Sequence, residues 1–143
     1  LPDAPRPRVL LADDYDDLIT AWRQMLEPSC EVVGSVRDGR ALFDAAIQLE
    51  PDVIVADLTM PGMSGLDACR SIKSSLPRTR IVLVTAGGDE HIARAAFRAG
   101  ASAFVMKYAA AQDLVVAIQR AMLGETFYSP TVKTKSLRLD GMG

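Results

Sequence analysis

Five times along this chain a short apolar run gives way to turn residues and then to apolar residues at helical spacing. The runs are RVLLA (8–12), CEVVGSV (30–36), DVIVAD (52–57), RIVLVTA (80–86) and SAFVMK (102–107). Continuous apolar stretches such as Ile81-Val82-Leu83-Val84 suit strands buried on both faces. Between the runs, Leu18, Ile19, Trp22, Met25 and Leu26 recur at the helical period, and Ala41, Leu42, Ala45, Ala46 and Leu49 share one helix face. The first of these helices ends near Glu27-Pro28, because proline cannot be accommodated in a continuing interior. Strands alternating with helices of this length imply a parallel sheet with helices on both faces. The fold class is therefore α/β, a doubly wound sheet built from five βα units.

In such sheets the ligand site lies outside the carboxyl ends of the strands, where the strand order reverses. Those ends carry Asp13 and Asp14 on strand one, Asp57 on strand three, Thr85 on strand four and Lys107 on strand five. Three carboxylates meeting at one edge repel one another unless a cation or a proton sits among them. Mg²⁺ fits an incomplete acidic cage, since it prefers oxygen ligands and is usually held by one or two carboxylates plus a substrate phosphate. Mn²⁺ is the substitute. Lys107 adds an ammonium and Thr85 a hydroxyl, groups that neutralise the oxygens of a transferring phosphoryl group.

Asp57 then reads as a nucleophile that attacks phosphorus to give an aspartyl phosphate. It stands alone at the end of the central strand, whereas the adjacent pair Asp13-Asp14 suits gripping a metal. Ala86, beside Thr85, is small and leaves room for a phosphoryl group and a backbone N–H directed at it. Taken singly, each residue has an ordinary explanation. Asp13 and Asp14 can cap a helix, Asp57 can serve a turn, Thr85 can end a strand and Lys107 can be a solvated cation. All five at the ends of one sheet fit those explanations poorly.

The segments LADD (11–14), VADLTMPGMSGLDACRSIK (55–73), LVTA (83–86) and RAGASAFVMK (98–107) resemble the receiver domain of bacterial two-component response regulators. The likeness runs from about Val9 to Gly124 and is strongest to the NarL/FixJ (LuxR-type) subfamily. It implies a flavodoxin-like five-stranded sheet of order 2-1-3-4-5. It assigns Asp57 as phosphoacceptor, with Asp13, Asp14, Asp57 and the backbone carbonyl of Thr59 as Mg²⁺ ligands. It makes Thr85 the hydroxyl that swings toward the phosphoryl group, Lys107 its ion partner and Phe104 the aromatic that changes rotamer with it. Phosphorylation would then alter the surface of helix four, strand five and helix five. A sensor histidine kinase is the implied phosphodonor, a phosphorylation-dependent homodimer the implied assembly, and DNA a partner only through an effector domain outside this sequence. Two departures stand out: Tyr108 follows the lysine where many receivers have proline, and Gly87-Gly88 in TAGGDEH (85–91) suggests a mobile loop.

The same reading divides the chain into a leader (1–7), the receiver (8–124) and a linker or cut end (125–143). A net charge of −2 over 143 residues gives no basic footprint for nucleic acid. No apolar run approaches the roughly 18 residues a membrane helix needs. Cys30 and Cys69 lie far apart, with no metal-binding spacing, and read as core residues in a reducing, cytoplasmic setting. The rival function is an aspartate-nucleophile phosphohydrolase. Such enzymes begin with DxD, and here Thr59 stands where the second acid belongs, so a switch that is not a turnover enzyme is the expected role.

Overall fold

In the computed structural model, residues 6–129 are described. The strands are β1 (Arg8–Ala12), β2 (Glu31–Val36), β3 (Val53–Asp57), β4 (Arg80–Thr85), β5 (Ala103–Met106) and β6 (Phe127–Tyr128). The helices are α1 (Asp16–Leu26), α2 (Gly39–Leu49), α3 (Gly65–Ser75), α4 (Glu90–Arg98) and α5 (Ala110–Met122). The strands form one parallel sheet of order β2-β1-β3-β4-β5-β6. None of the helices among the described residues is long and apolar enough to cross a membrane.

The apolar runs are buried on both sides because successive residues point to opposite faces of the sheet. Leu10, Ile54, Ile81, Leu83 and Phe104 pack with α2, α3 and α4 through Leu42, Ala68, Ile72, Ala93 and Ala96. Their neighbours Val9, Leu11, Val53, Val55, Val82 and Val84 face the other way, onto Ile19, Trp22 and Leu26 of α1 and Leu114 and Ile118 of α5. Each fully buried side chain of this size contributes about 1.5–3 kcal/mol relative to exposure. Both cysteines are free and buried, and burial pushes the Cys69 thiol up to about 11.

Local signals set the helix starts. Asp38, Ser64 and Asp89 are N-caps whose side chains accept backbone N–H groups of α2, α3 and α4. Helix α1 begins differently: its N-cap is Tyr15, without a side-chain bond, which leaves Asp13 and Asp14 for other work.

The C-terminal boundary differs from expectation. Ordered structure continues past Gly124, where Phe127 and Tyr128 pair with Ala103 and Phe104 to add a sixth strand. Ser129 follows, fully buried; its N–H donates to the Phe104 carbonyl at 3.0 Å and its Oγ accepts the Met106 N–H at 3.0 Å. Two strand residues carry no readable period, and the demand that fixes them is the unpaired edge of β5. At the other end Arg6 and Pro7 of the expected leader are tied down: the Arg6 guanidinium donates to the Glu27 carbonyl, and the Pro7 carbonyl accepts the Glu31 N–H. The rest of that leader (1–5) and the tail from 130 to 143 lie outside the described residues.

Candidate functional site

Strand register assembles the site. Ala12 pairs with Ala56, so the next residues, Asp13 and Asp57, emerge side by side at the carboxyl edge. Asp57 is in register with Val84 and Thr85 with Met106, which delivers Thr85 and Lys107 to the same rim. Past β3 the chain turns sharply at Gly65, whose N–H donates to the Leu58 carbonyl at 2.8 Å. A Cβ at Gly65 would lie 2.7 Å from the Leu58 backbone and 2.8 Å from the Asp57 carbonyl oxygen, so only glycine lets α3 start this close to the site.

Asp57 is buried and both its oxygens are engaged. Oδ1 accepts the Thr59 N–H at 3.1 Å and Oδ2 accepts from Lys107 Nζ at 3.1 Å. Asp13 is fully buried; its Oδ1 accepts the Tyr15 N–H at 2.8 Å. Its Oδ2 lies 3.1 Å from Lys107 Nζ, in charge contact but without hydrogen-bond alignment, and has no other partner. Asp14 is exposed, and one carboxylate oxygen from each of Asp13, Asp14 and Asp57 falls within 4.8 Å of the others.

Burial raises the Asp57 pKa above the usual carboxylate value and the Asp13 charge adds to this, while the Thr59 N–H and Lys107 oppose it. At Lys107 burial disfavours the charge, but Asp13 and Asp57 outweigh it and hold the ammonium above its ordinary pKa. One partly buried lysine thus faces two buried carboxylates and a third, exposed one. The arrangement has a surplus of negative charge and, on Asp13, a buried oxygen with a charge contact but no hydrogen bond, both of which suit a hard divalent cation. The donor set is all oxygen, which fits Mg²⁺.

A family model of the response regulator receiver domain matches residues 9–119. The chain belongs to the response regulator receiver family. Response regulator GacA of Pseudomonas aeruginosa is 32% identical to this receiver over 127 residues, covering 87% of the chain and 59% of GacA. The crystal structure of a LuxR-family two-component response regulator from Aurantimonas superposes with a TM-score of 0.84 at 32% identity, covering 87% of this receiver and 91% of that chain. The isolated receiver domain of RcsB from Salmonella enterica, solved with the phosphomimetic BeF₃⁻, gives a TM-score of 0.81 at 28% identity, covering 89% and 96%. The chain spans about 60% of the length of the curated relatives it matches.

Asp13, Asp14, Asp57 and Lys107 of this receiver stand together as the sequence implied. Other residues are placed less simply. The Thr85 hydroxyl donates to the Gly87 carbonyl at 3.2 Å, within its own loop, and Ala86 is exposed in that loop. Phe104 is fully buried. The contact shown for Thr59 is its N–H on Asp57. All peptide bonds of the described residues are trans, including the one after Lys107, and exposed Tyr108 lies in a single 3₁₀ turn. Sequence reasoning missed two backbone contributions, the Tyr15 N–H on Asp13 and the close approach at Gly65. The second had a signal in the glycines of PGMSG (61–65).

Proposed function

We propose that this receiver is switched by phosphorylation of Asp57, with Mg²⁺ held by Asp13, Asp14, Asp57 and the Thr59 carbonyl and a sensor histidine kinase as donor. The observation that carries the reading is Asp57 itself, buried at a strand end with Thr59 N–H on one oxygen and Lys107 on the other. Those two donors orient the carboxylate toward the open rim. A carboxylate oxygen forms the new bond to phosphorus as the bond to the donor's imidazole nitrogen breaks, and the imidazole leaves with that electron pair. Bound Mg²⁺ supplies positive charge to the carboxylates and the incoming phosphoryl oxygens. Lys107 is within reach of Asp57 and pairs with the added charge of about −1.5 to −2.

Thr85 and Phe104 read the modification. The Thr85 hydroxyl leaves the Gly87 carbonyl for the phosphoryl group, and the surface of α4, β5 and α5 changes with it. Inverting a 1:99 population requires the phosphoryl group to favour the active form by about 5.5 kcal/mol. Output through a DNA-binding domain, with a phosphorylation-dependent homodimer, belongs to the same reading; its support is the likeness to a LuxR-family response regulator and the greater length of curated relatives such as GacA. Thr59 in place of a second acid favours this switch over a phosphohydrolase.

The test is acetyl phosphate with Mg²⁺, followed by intact-mass measurement. The wild type gains one phosphoryl group, and neither Asp57→Asn nor a metal-chelated sample does. Phosphoryl uptake by Asp57→Asn would reject the assignment.

A further inference from the structure

Gly87 and Gly88 read from sequence as a mobile pair, but they differ sharply in surroundings. A Cβ placed at Gly87 meets nothing within 4 Å. The same atom at Gly88 would lie 2.6 Å from Phe104 Cζ, 3.0 Å from Phe104 Cε2 and 2.9 Å from Thr85 Cγ2. Neither glycine has the positive φ that would demand glycine for backbone reasons. The need at Gly88 is steric: the Phe104 ring is fully buried beneath it, in a close-packed core where neighbours must shift to make room for a methyl group.

The loop that carries Gly88 is fixed at both ends. Its start is held by the Thr85 hydroxyl on the Gly87 carbonyl, and its end by Asp89 Oδ1, which accepts the His91 and Ile92 N–H groups at the head of α4. We propose that Gly88 is a positioning residue whose missing side chain lets this loop seat directly on Phe104 and Thr85, gearing the first turn of α4 to both. If Thr85 withdraws toward Asp57, the loop above Phe104 must shift, and α4 follows because Asp89 joins them.

This inference rests on the switch reading, so the test has one arm independent of it. In that arm, unfolding midpoints are measured for the full chain and for Gly88→Ala, Gly87→Ala, Phe104→Leu and the double variant Gly88→Ala with Phe104→Leu. Gly88→Ala lowers the midpoint and Gly87→Ala does not. In the Phe104→Leu background the loss from Gly88→Ala shrinks by at least half, because the smaller side chain leaves room for the methyl group. In the second arm, beryllofluoride and Mg²⁺ are added while the Phe104 ring signals are followed by NMR. The ring shift seen in wild type and Gly87→Ala is lost in Gly88→Ala, although signals around Asp57 still respond.

An equal loss from Gly88→Ala in the wild-type and Phe104→Leu backgrounds overturns the proposal, as does an undiminished ring shift. If Gly88→Ala does not fold, recovery of folding in the double variant supports the contact and failure to recover rejects it. A wild type that does not respond to beryllofluoride counts against the switch reading alone, and the stability arm then decides the role of Gly88.

Discussion

The two helices that flank β5 are held in very different ways. Helix α5 buries Ala110, Leu114, Ala117, Ile118 and Ala121, and shares its core with Trp22 and Leu26 of α1. Helix α4 is shorter and fully buries only Ala93 and Ala96. Large interlocking side chains fix the first helix in one position, because moving it opens cavities. Two buried methyl groups, with Ile92 and Phe97 only half-buried against the core, set a weaker penalty against sliding. The difference separates a frame from a moving part, and the weakly held helix is the one joined through Asp89 to the loop after Thr85.

The largest effect expected from this contrast comes from the frame. Trp22→Ala removes a fully buried indole from the α1 and α5 side and lowers stability by about 3–5 kcal/mol, measured by urea denaturation. Ala96→Gly on α4 costs about 1 kcal/mol, mostly through the helix propensity of glycine, and speeds amide exchange in α4 while leaving α5 unchanged. A loss comparable to that of Trp22→Ala would mean that α4 is anchored as firmly as α5.

The smallest effect concerns the charge between the two regions. Because its folded-state pKa is raised, Asp57 is best tolerated in the fold when protonated. The associated stability is fully present below the unfolded carboxylate pKa and is lost as pH rises through the raised value. At neutral pH without Mg²⁺, Asp57→Asn therefore melts above the wild type. That advantage fades as pH falls through the raised pKa into the ordinary carboxylate range, and thermal melts across this interval check it. A pH-independent difference would show that the charge on Asp57 is not its source.

The frame and the rim were legible in the sequence for separate reasons. Both-face burial turned β3 and β4 into continuous apolar runs, and the residues ending those runs were charged or hydroxylated where packing alone would not require it. Trp22 and Leu26 declared themselves by helical spacing. What stayed hidden depends on neighbours that the pattern does not name. Gly88 looks like a source of freedom until the Phe104 ring is seen against it. The Thr59 N–H on Asp57, set by the turn after β3, is a contact the sequence did not suggest, separate from the role implied for the Thr59 carbonyl. Phe127 and Tyr128 form too short a strand to show a period, and they pair because β5 offers an open edge.

That last strand has a mechanical consequence. The path of the backbone from α5 to Ser129 returns across the domain and fastens to β5 through the Phe104 carbonyl and the Met106 N–H. Tension applied to the chain beyond Ser129 is therefore borne first by the strand that carries Phe104 and leads into Lys107, before it reaches α5. A pull from outside and a chemical event at the rim would act on the same few peptide groups.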